Sequence, residues 1–159
     1  MKITVRDATA SDLEAIVGYN QRLAVETEGK SLDPAVISAG VRRGFASPQL
    51  CRYFVAEVDG RSAGTTMLTY ELTDWRDGVI WWLQSVFIEH EHRRHGVFRA
   101  IYRHIEGLAR THPDVRGLRL YVHRDNARAM KTYESMGMEK AGYELYEHDW
   151  SGSVHPVDD

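Results

Sequence analysis

The sequence has one cysteine, Cys51, and four prolines in 159 residues. A single thiol makes no disulfide within the chain and no Cys-rich zinc site, so a reducing compartment fits and a cytoplasmic location is expected. No apolar run is long enough to span a bilayer. The opening Met1-Lys2-Ile3-Thr4-Val5-Arg6 is too polar for a signal peptide. No membrane partner is therefore expected. Neither sign of charge dominates: 20 Lys and Arg against 23 Asp and Glu leave a net charge of -3. That balance argues against a protein built to wrap nucleic acid. Repeats, low-complexity stretches and dividing linkers are absent. What remains is 43% hydrophobic and 27% charged, the profile of a globular domain with its own core. One domain over residues 1–150 is expected, with 151–159 as a C-terminal tail.

Local signals divide the chain. Ile3 and Val5 alternate with polar residues as a short strand, and Ser11 with Glu14 has capping-box spacing at the start of a helix. Gly29 is placed to stop that helix. Asp33-Pro34 reads as an N-cap followed by Pro at the first helical position, with the helix running to about Phe45. Asp59-Gly60 is a hairpin turn between two strand-forming runs. After a second turn, residues 79–88 form a nearly continuous apolar run, the mark of a central strand covered on both faces. A polar loop leads to a helix with Val97, Ile101, Ile105 and Leu108 on one face. Leu118, Leu120 and Val122 then alternate as a strand. Residues 126–136 read as a helix stopped by Gly137, and residues 138–150 as the last strand or strands. Hairpins followed by strand-helix-strand-helix-strand imply an α/β fold with a mixed sheet.

Two segments carry chemistry. The first, Arg93-Arg94-His95-Gly96-Val97-Phe98-Arg99, joins the apolar strand to a helix. The first N–H groups of a helix lack internal partners and its dipole favours an anion there. Gly96 permits close backbone approach, and three arginines can fork onto phosphate oxygens. The segment is not a Walker loop and lacks the three glycines of a dinucleotide fingerprint. In the second segment, Asn126 and Tyr133 lie seven residues apart, two helical turns, and so share a face near Ala129 and Met130.

These segments resemble the signatures of the GNAT family of N-acetyltransferases. The family's nucleotide loop, Arg/Gln-x-x-Gly-x-Gly/Ala, corresponds to Arg93-Arg94-His95-Gly96-Val97-Phe98, with Phe98 standing where the family has a second small residue. Its Asn-x-x-Ala-x-x-x-Tyr signature, followed by Gly-Phe/Met, corresponds to Asn126, Ala129, Tyr133 and Gly137-Met138. Glu26-Thr27-Glu28, Thr73-Asp74-Trp75-Arg76 and Trp81-Trp82-Leu83-Gln84-Ser85 are similar to segments of a bacterial subgroup. The resemblance implies a mixed, mostly antiparallel twisted sheet of about 6–7 strands, helices on both faces and a splayed central parallel pair. It implies acetyl-CoA as cosubstrate, its pantetheine beside Val86, Phe87 and Ile88. Its pyrophosphate would lie on Arg94, His95, Gly96, Val97, Phe98 and Arg99, with Arg93 at the entrance; Asn126 would stand near the pantetheine and Tyr133 near the thioester sulfur, with Ala129 also among the cofactor-binding residues. No metal is implied.

In this reading a primary amine of a small molecule attacks the thioester directly, and Tyr133 is the general acid for the leaving thiolate. The amine's base is open. Gln84 stands where a Glu would be expected and cannot take a proton, which leaves Glu26 and Glu28, then Glu71 and Asp74, or water. Tyr70, Trp75, Trp82 and Gln84, with Glu26 and Glu28, are the candidate acceptor-binding residues, while the aromatics also suit a core. Alternation puts Trp82 and Gln84 on one face and Trp81 and Ser85 on the other. His90, His92 and His95 admit a metal reading, but a lining beside phosphate fits them better. Acetylation of protein N-termini or lysines, and a non-catalytic acyl-CoA sensor, are the alternatives. A homodimer is expected as a possible assembly.

Overall fold

Asp59 and Gly60, at φ +50° and +79°, close a two-residue turn whose twist matches that of the strands it joins. The computed structural model describes residues 1–156. The joined strands are β3 (Cys51–Val58) and β4 (Arg61–Thr73). Outside β3 lies β1 (Ile3–Asp7), antiparallel to it. On the other side β4 pairs antiparallel with β5 (Gly78–Ile88), and β5 pairs in parallel with β6 (Val115–Leu120). The main sheet thus has five strands in the order β1-β3-β4-β5-β6. Two three-residue strands, β2 (Lys30–Leu32) and β7 (Val154–Pro156), form a separate antiparallel pair.

The strand expected in residues 138–150 is not formed: residues 139–150 hold no strand and are exposed throughout. Among the described residues this segment pairs with neither sheet. Of the expected tail, Val154–Pro156 is the strand β7, and residues 157–159 lie outside the described residues.

Helices cover both faces. One face carries α1 (Leu13–Glu28) and α2 (Pro34–Ala46), which bury Ile16, Val17 and Val41 against Cys51 and Tyr53. Gly29, at φ +60°, ends α1. The Asp33 carboxylate accepts from the Ala35 and Val36 N–H groups and caps α2. The cap of the first helix differs from the expected Ser11–Glu14 box. Asp12 accepts instead from the Thr9 N–H at 2.7 Å and from both Arg6 terminal nitrogens. Arg6 holds the Asp12 carboxyl below its ordinary value of 3.8.

The other face carries α3 (Val97–Thr111), whose Val97, Ile101 and Ile105 are fully buried among Phe54, Leu68, Trp81 and Leu83. Each such side chain contributes about 1.5–3 kcal/mol by leaving water. Helix α4 (Ala127–Ser135) follows β6 and leads to Met136 and Met138, which pack on the same cluster. Among the described residues no helix is long and apolar enough to cross a membrane.

Candidate active site

The site is built where β5 outruns β6. Their parallel ladder runs from Val79 opposite Val115 to Leu83 opposite Leu120 and stops. β5 continues to Ile88, still paired with β4. In that stretch Gln84 faces Met67 and Phe87 faces Thr65, so Ser85 and Val86 together oppose Thr66 alone. This is a β-bulge. Ser85 sits at φ +51°, a left-handed conformation that costs a non-glycine residue about 1–3 kcal/mol. The Thr66 hydroxyl donates to the Gln84 carbonyl at 3.0 Å inside the bulge. Opposite the end of β5, only glycine fits at Gly64, since a Cβ there would lie 2.5 Å from the Phe87 carbonyl oxygen.

The bulge re-aims the strand. Unbroken alternation would put Phe87 beside Trp81 on the α3 face. Phe87 instead stacks on Tyr19 of α1, with ring centroids 5.0 Å apart, and Val86 and Ile88 turn to the α3 side. Phe87 is opposite Thr65, and the Glu89 N–H donates to the Ala63 carbonyl at 2.8 Å. By antiparallel alternation the main-chain groups of Val86 and Ile88 therefore point away from β4, into the space β6 has left.

The chain then turns through His90–His92 and enters α3 at Gly96, with Arg94 at φ +68° and Gly96 at φ +84°. A Cβ on Gly96 would meet nothing within 4 Å, so glycine serves its backbone conformation there and not a steric need. Among the described residues no carbonyl accepts from the N–H groups of residues 94–99. Arg94, His95 and Arg99 are exposed, and neither Arg94 nor Arg99 pairs with a described carboxylate. Unpartnered N–H groups, the positive end of a helix dipole and two uncommitted guanidinium groups form a cradle for phosphate oxygens. Phe98 does not intrude: its ring is half-buried and meets Tyr133 edge-to-face at 5.3 Å. Arg93 is committed elsewhere. Its Nε donates to the Ile88 carbonyl at 2.8 Å and its Nη2 to the Glu26 carboxylate.

Helix α4 sets Tyr133 against Phe98 of α3. The Asn126 side chain caps it by accepting from the Ala129 N–H at 3.1 Å. This gives Asn126 a structural role in addition to its place in the lining of the cleft that holds Glu26. Tyr133 is half-buried, and burial pushes its phenol above the ordinary value of 10.0. It is protonated through the neutral range. Among the described residues no side-chain oxygen is buried without a partner, and the Tyr133 hydroxyl bonds to none of them, so it is reached by solvent beside Phe98 at the start of α3.

The acceptor candidates separate. Glu26 lines an open cleft of about 680 Å³ with Thr27, His90, Arg93, His123, Asp125 and Asn126. Glu28 is outside that lining and lies 3.7 Å from the Lys30 ammonium. Gln84 donates to the Thr69 hydroxyl at 2.7 Å, on the α1 side with Trp82. Tyr70 pairs with Trp81 and meets it edge-on at 6.0 Å, so it lies on the opposite, α3 face from Trp82 and Gln84. Trp75 is 84% exposed on a turn and packs against none of the other candidates. Glu71 is paired with Arg119 at 2.8 Å, and Asp74 accepts from the Trp75 N–H.

The structure adds residues the sequence reading passed over. Tyr121 stacks on Trp82 at 4.5 Å, and Arg119 lies 5.9 Å over the same ring. Alternation along β6 was the available signal, since Arg119 and Tyr121 share the face opposite Leu118 and Leu120. Arg22 makes a two-pronged bond to Glu89, ties α1 to the end of β5 and holds the Glu89 carboxyl below its ordinary value. Among the described residues, no three His, Cys, Asp or Glu side chains converge as a metal site.

Comparison with known proteins agrees with this geometry. The model of the acetyltransferase (GNAT) family matches residues 20–138. A possible acetyltransferase from Clostridium difficile 630 is 37% identical, with 94% of this chain and 98% of that one covered at a TM-score of 0.84. The fold is shared by AAC(6')-Iy in complex with the bisubstrate analogue CoA-S-monomethyl-acetylneamine, at 14% identity, TM-score 0.77 and coverage of 94% and 99%. It is shared also by glucosamine-6-phosphate N-acetyltransferase from Arabidopsis thaliana, at 15% identity, TM-score 0.70 and coverage of 93% and 99%. No curated protein matches the chain. With the family model matched over residues 20–138 and a 37% identical relative covered over 94% of this chain, the chain belongs to the GNAT acetyltransferase family.

Proposed function

We propose that the protein transfers an acetyl group from acetyl-CoA to a primary amine of a small molecule, by direct attack with both substrates bound. The observation that carries this reading is the gap between β5 and β6. An unpartnered helix N-terminus follows the end of β5, and the half-buried Tyr133 meets Phe98 in the first turn of that helix.

Acetyl-CoA supplies the activated thioester; the chain supplies position and protons. The N–H groups of residues 94–99, with Arg94 and Arg99, hold the pyrophosphate. The outward main-chain groups of Val86 and Ile88 align the pantetheine as an added strand would align, and the Val86 N–H stabilises charge developing on the carbonyl oxygen. As the amine nitrogen bonds to the carbonyl carbon, the carbon–sulfur bond breaks and Tyr133 gives its proton to the sulfur. Burial raises the phenol, and the same surroundings raise a thiolate, so the transfer stays near balance.

The proton lost by the amine passes to Glu26, the candidate carboxylate inside the cleft. Asp125 adds a second negative charge there, which suits a cationic acceptor. Trp82, braced by Tyr121 and Arg119, offers an aromatic face on the α1 side of the sheet.

A single-turnover assay of thiol release with a panel of amines tests the proposal. Release above the hydrolytic background with at least one small amine is expected. Tight acetyl-CoA binding with no amine-dependent release would overturn it in favour of a sensor.

A further inference from the structure

Phe87 is 2% exposed although its facing is inverted. In the paired half of β5, the Val79 N–H donates to the Asp114 carbonyl just before β6. Unbroken alternation from there would aim the main-chain groups of Ser85 and Phe87 away from β4 and turn those of Val86 and Ile88 toward it. The bulge exchanges the two sets, at the cost of a left-handed Ser85. Tertiary contacts must hold this register, since a slip of one residue would relieve Ser85 and turn the Val86 N–H toward β4.

The holding contacts come from α1. The Phe87 ring stacks on Tyr19, and two guanidinium groups lie over it, Arg22 at 4.7 Å from the ring centroid and Arg93 at 5.6 Å. Each is pinned by a carboxylate of the other element. Arg22 of α1 donates through both terminal nitrogens to Glu89, at 2.9 and 2.6 Å, and Arg93 donates to Glu26 of α1. The two pairs cross-brace the helix and the strand end around one aromatic ring. Tyr19 closes the frame: its hydroxyl bonds to the Ser62 hydroxyl at 2.9 Å, next to Ala63, whose carbonyl accepts from the Glu89 N–H. Arg93 also lines the cleft that holds Glu26, whereas Arg22 is outside that lining and its described side-chain bonds go to Glu89.

We propose that Arg22 is a positioning residue for acetyl transfer: clamped on Glu89 and seated over Phe87, it holds the bulged register that points the Val86 N–H away from β4. Its effect on rate rests on the acetyl-transfer reading, through the charge that the Val86 N–H stabilises; its hold on the register does not.

The test uses the full chain. Arg22→Met removes the charge and the donors and keeps an unbranched side chain. Hydrogen exchange at the Phe87 and Glu89 N–H groups, which face β4, should quicken in the ligand-free variant, while Val79 to Leu83 keep their parent rates. Single-turnover thiol release at saturating acetyl-CoA and amine should fall by roughly 10- to 100-fold, the cost of a reacting group held out of line. Coenzyme A affinity should change far less, because the N–H groups of residues 94–99 are untouched. Arg22→Lys keeps a cation over Phe87 and a donor for Glu89, so it should recover most of the rate. Glu89→Gln keeps the shape of the side chain and should show the same pattern, which decides the matter should Arg22→Met fail to fold. Parent-like exchange at Phe87 and residue 89, a parent rate per folded molecule, or equal losses of rate and affinity would overturn the proposal. So would an Arg22→Lys variant no faster than Arg22→Met. If the unaltered protein releases no thiol with any amine, the acetyl-transfer reading falls, and with it the effect on rate; exchange in the ligand-free protein then decides the register alone.

Discussion

The two halves of β5 differ in how they are held. From Val79 to Leu83 the strand is paired on both edges, with Trp81 and Leu83 buried beneath α3. From Gln84 to Ile88 only one edge is paired, the strand is bulged at Ser85, and the main-chain groups of Val86 and the Ile88 N–H point away from β4, while the Ile88 carbonyl accepts from Arg93. The first half stores stability in burial and complete hydrogen bonding. The second half leaves backbone groups unsatisfied in places where a ligand can satisfy them. A binding site of this kind is made by ending a ladder early, and the paired half keeps the unpaired half in register.

Several substitutions should separate the halves. The largest effect is expected at Tyr133. Tyr133→Phe should lower single-turnover thiol release by roughly 100- to 10,000-fold, the range for a general acid. Calorimetry should find acetyl-CoA affinity nearly unchanged. Equal losses in both would make Tyr133 a packing residue. Ile101→Ala, beneath the paired half, should cost about 2–5 kcal/mol in denaturant unfolding. Once folded, its affinity for coenzyme A should be close to that of the parent. Gly96→Val places a branched side chain at φ +84°, a conformation it adopts only under strain. The Cβ itself meets nothing, so the fold should persist while coenzyme A binding weakens by at least tenfold, about 1.4 kcal/mol.

The smallest effect concerns acid stability, far from both halves. Arg6 depresses the folded-state pKa of Asp12 below 3.8. Its stabilising contribution is therefore full above that value and is lost as the pH falls through the lower folded pKa. Asp12→Asn should remove on the order of 1 kcal/mol at neutral pH, as befits a partly exposed pair. It should also flatten the acid limb of a stability-versus-pH curve. A variant as acid-sensitive as the parent would show that other carboxylates dominate that limb.

The helix ends and tight turns were legible in the sequence because their signals are local. Asp33-Pro34, Asp59-Gly60, Asn126 and Gly137 mark caps and turns through their own side chains or their backbone freedom. The loop at Gly96 was legible for the same reason. The bulge was not, because Ser85 carries no glycine or proline flag and its cost is met by tertiary packing. The inverted facing of Phe87 followed from it and was missed as well. Tyr70 was grouped with Trp82 by proximity in sequence, whereas register puts it across the sheet beside Trp81. Residues 138–150 do read as a strand. Whether such a pattern pairs depends on an available edge, and no local signal records where that edge is.

Amide chemical shifts followed during titration with coenzyme A test the central claim most directly. The account predicts saturable changes at the N–H groups of Val86, Ile88 and residues 94–99, with little change from Val79 to Leu83. Changes concentrated along the paired half, or binding that leaves the amides of residues 94–99 untouched, would contradict it.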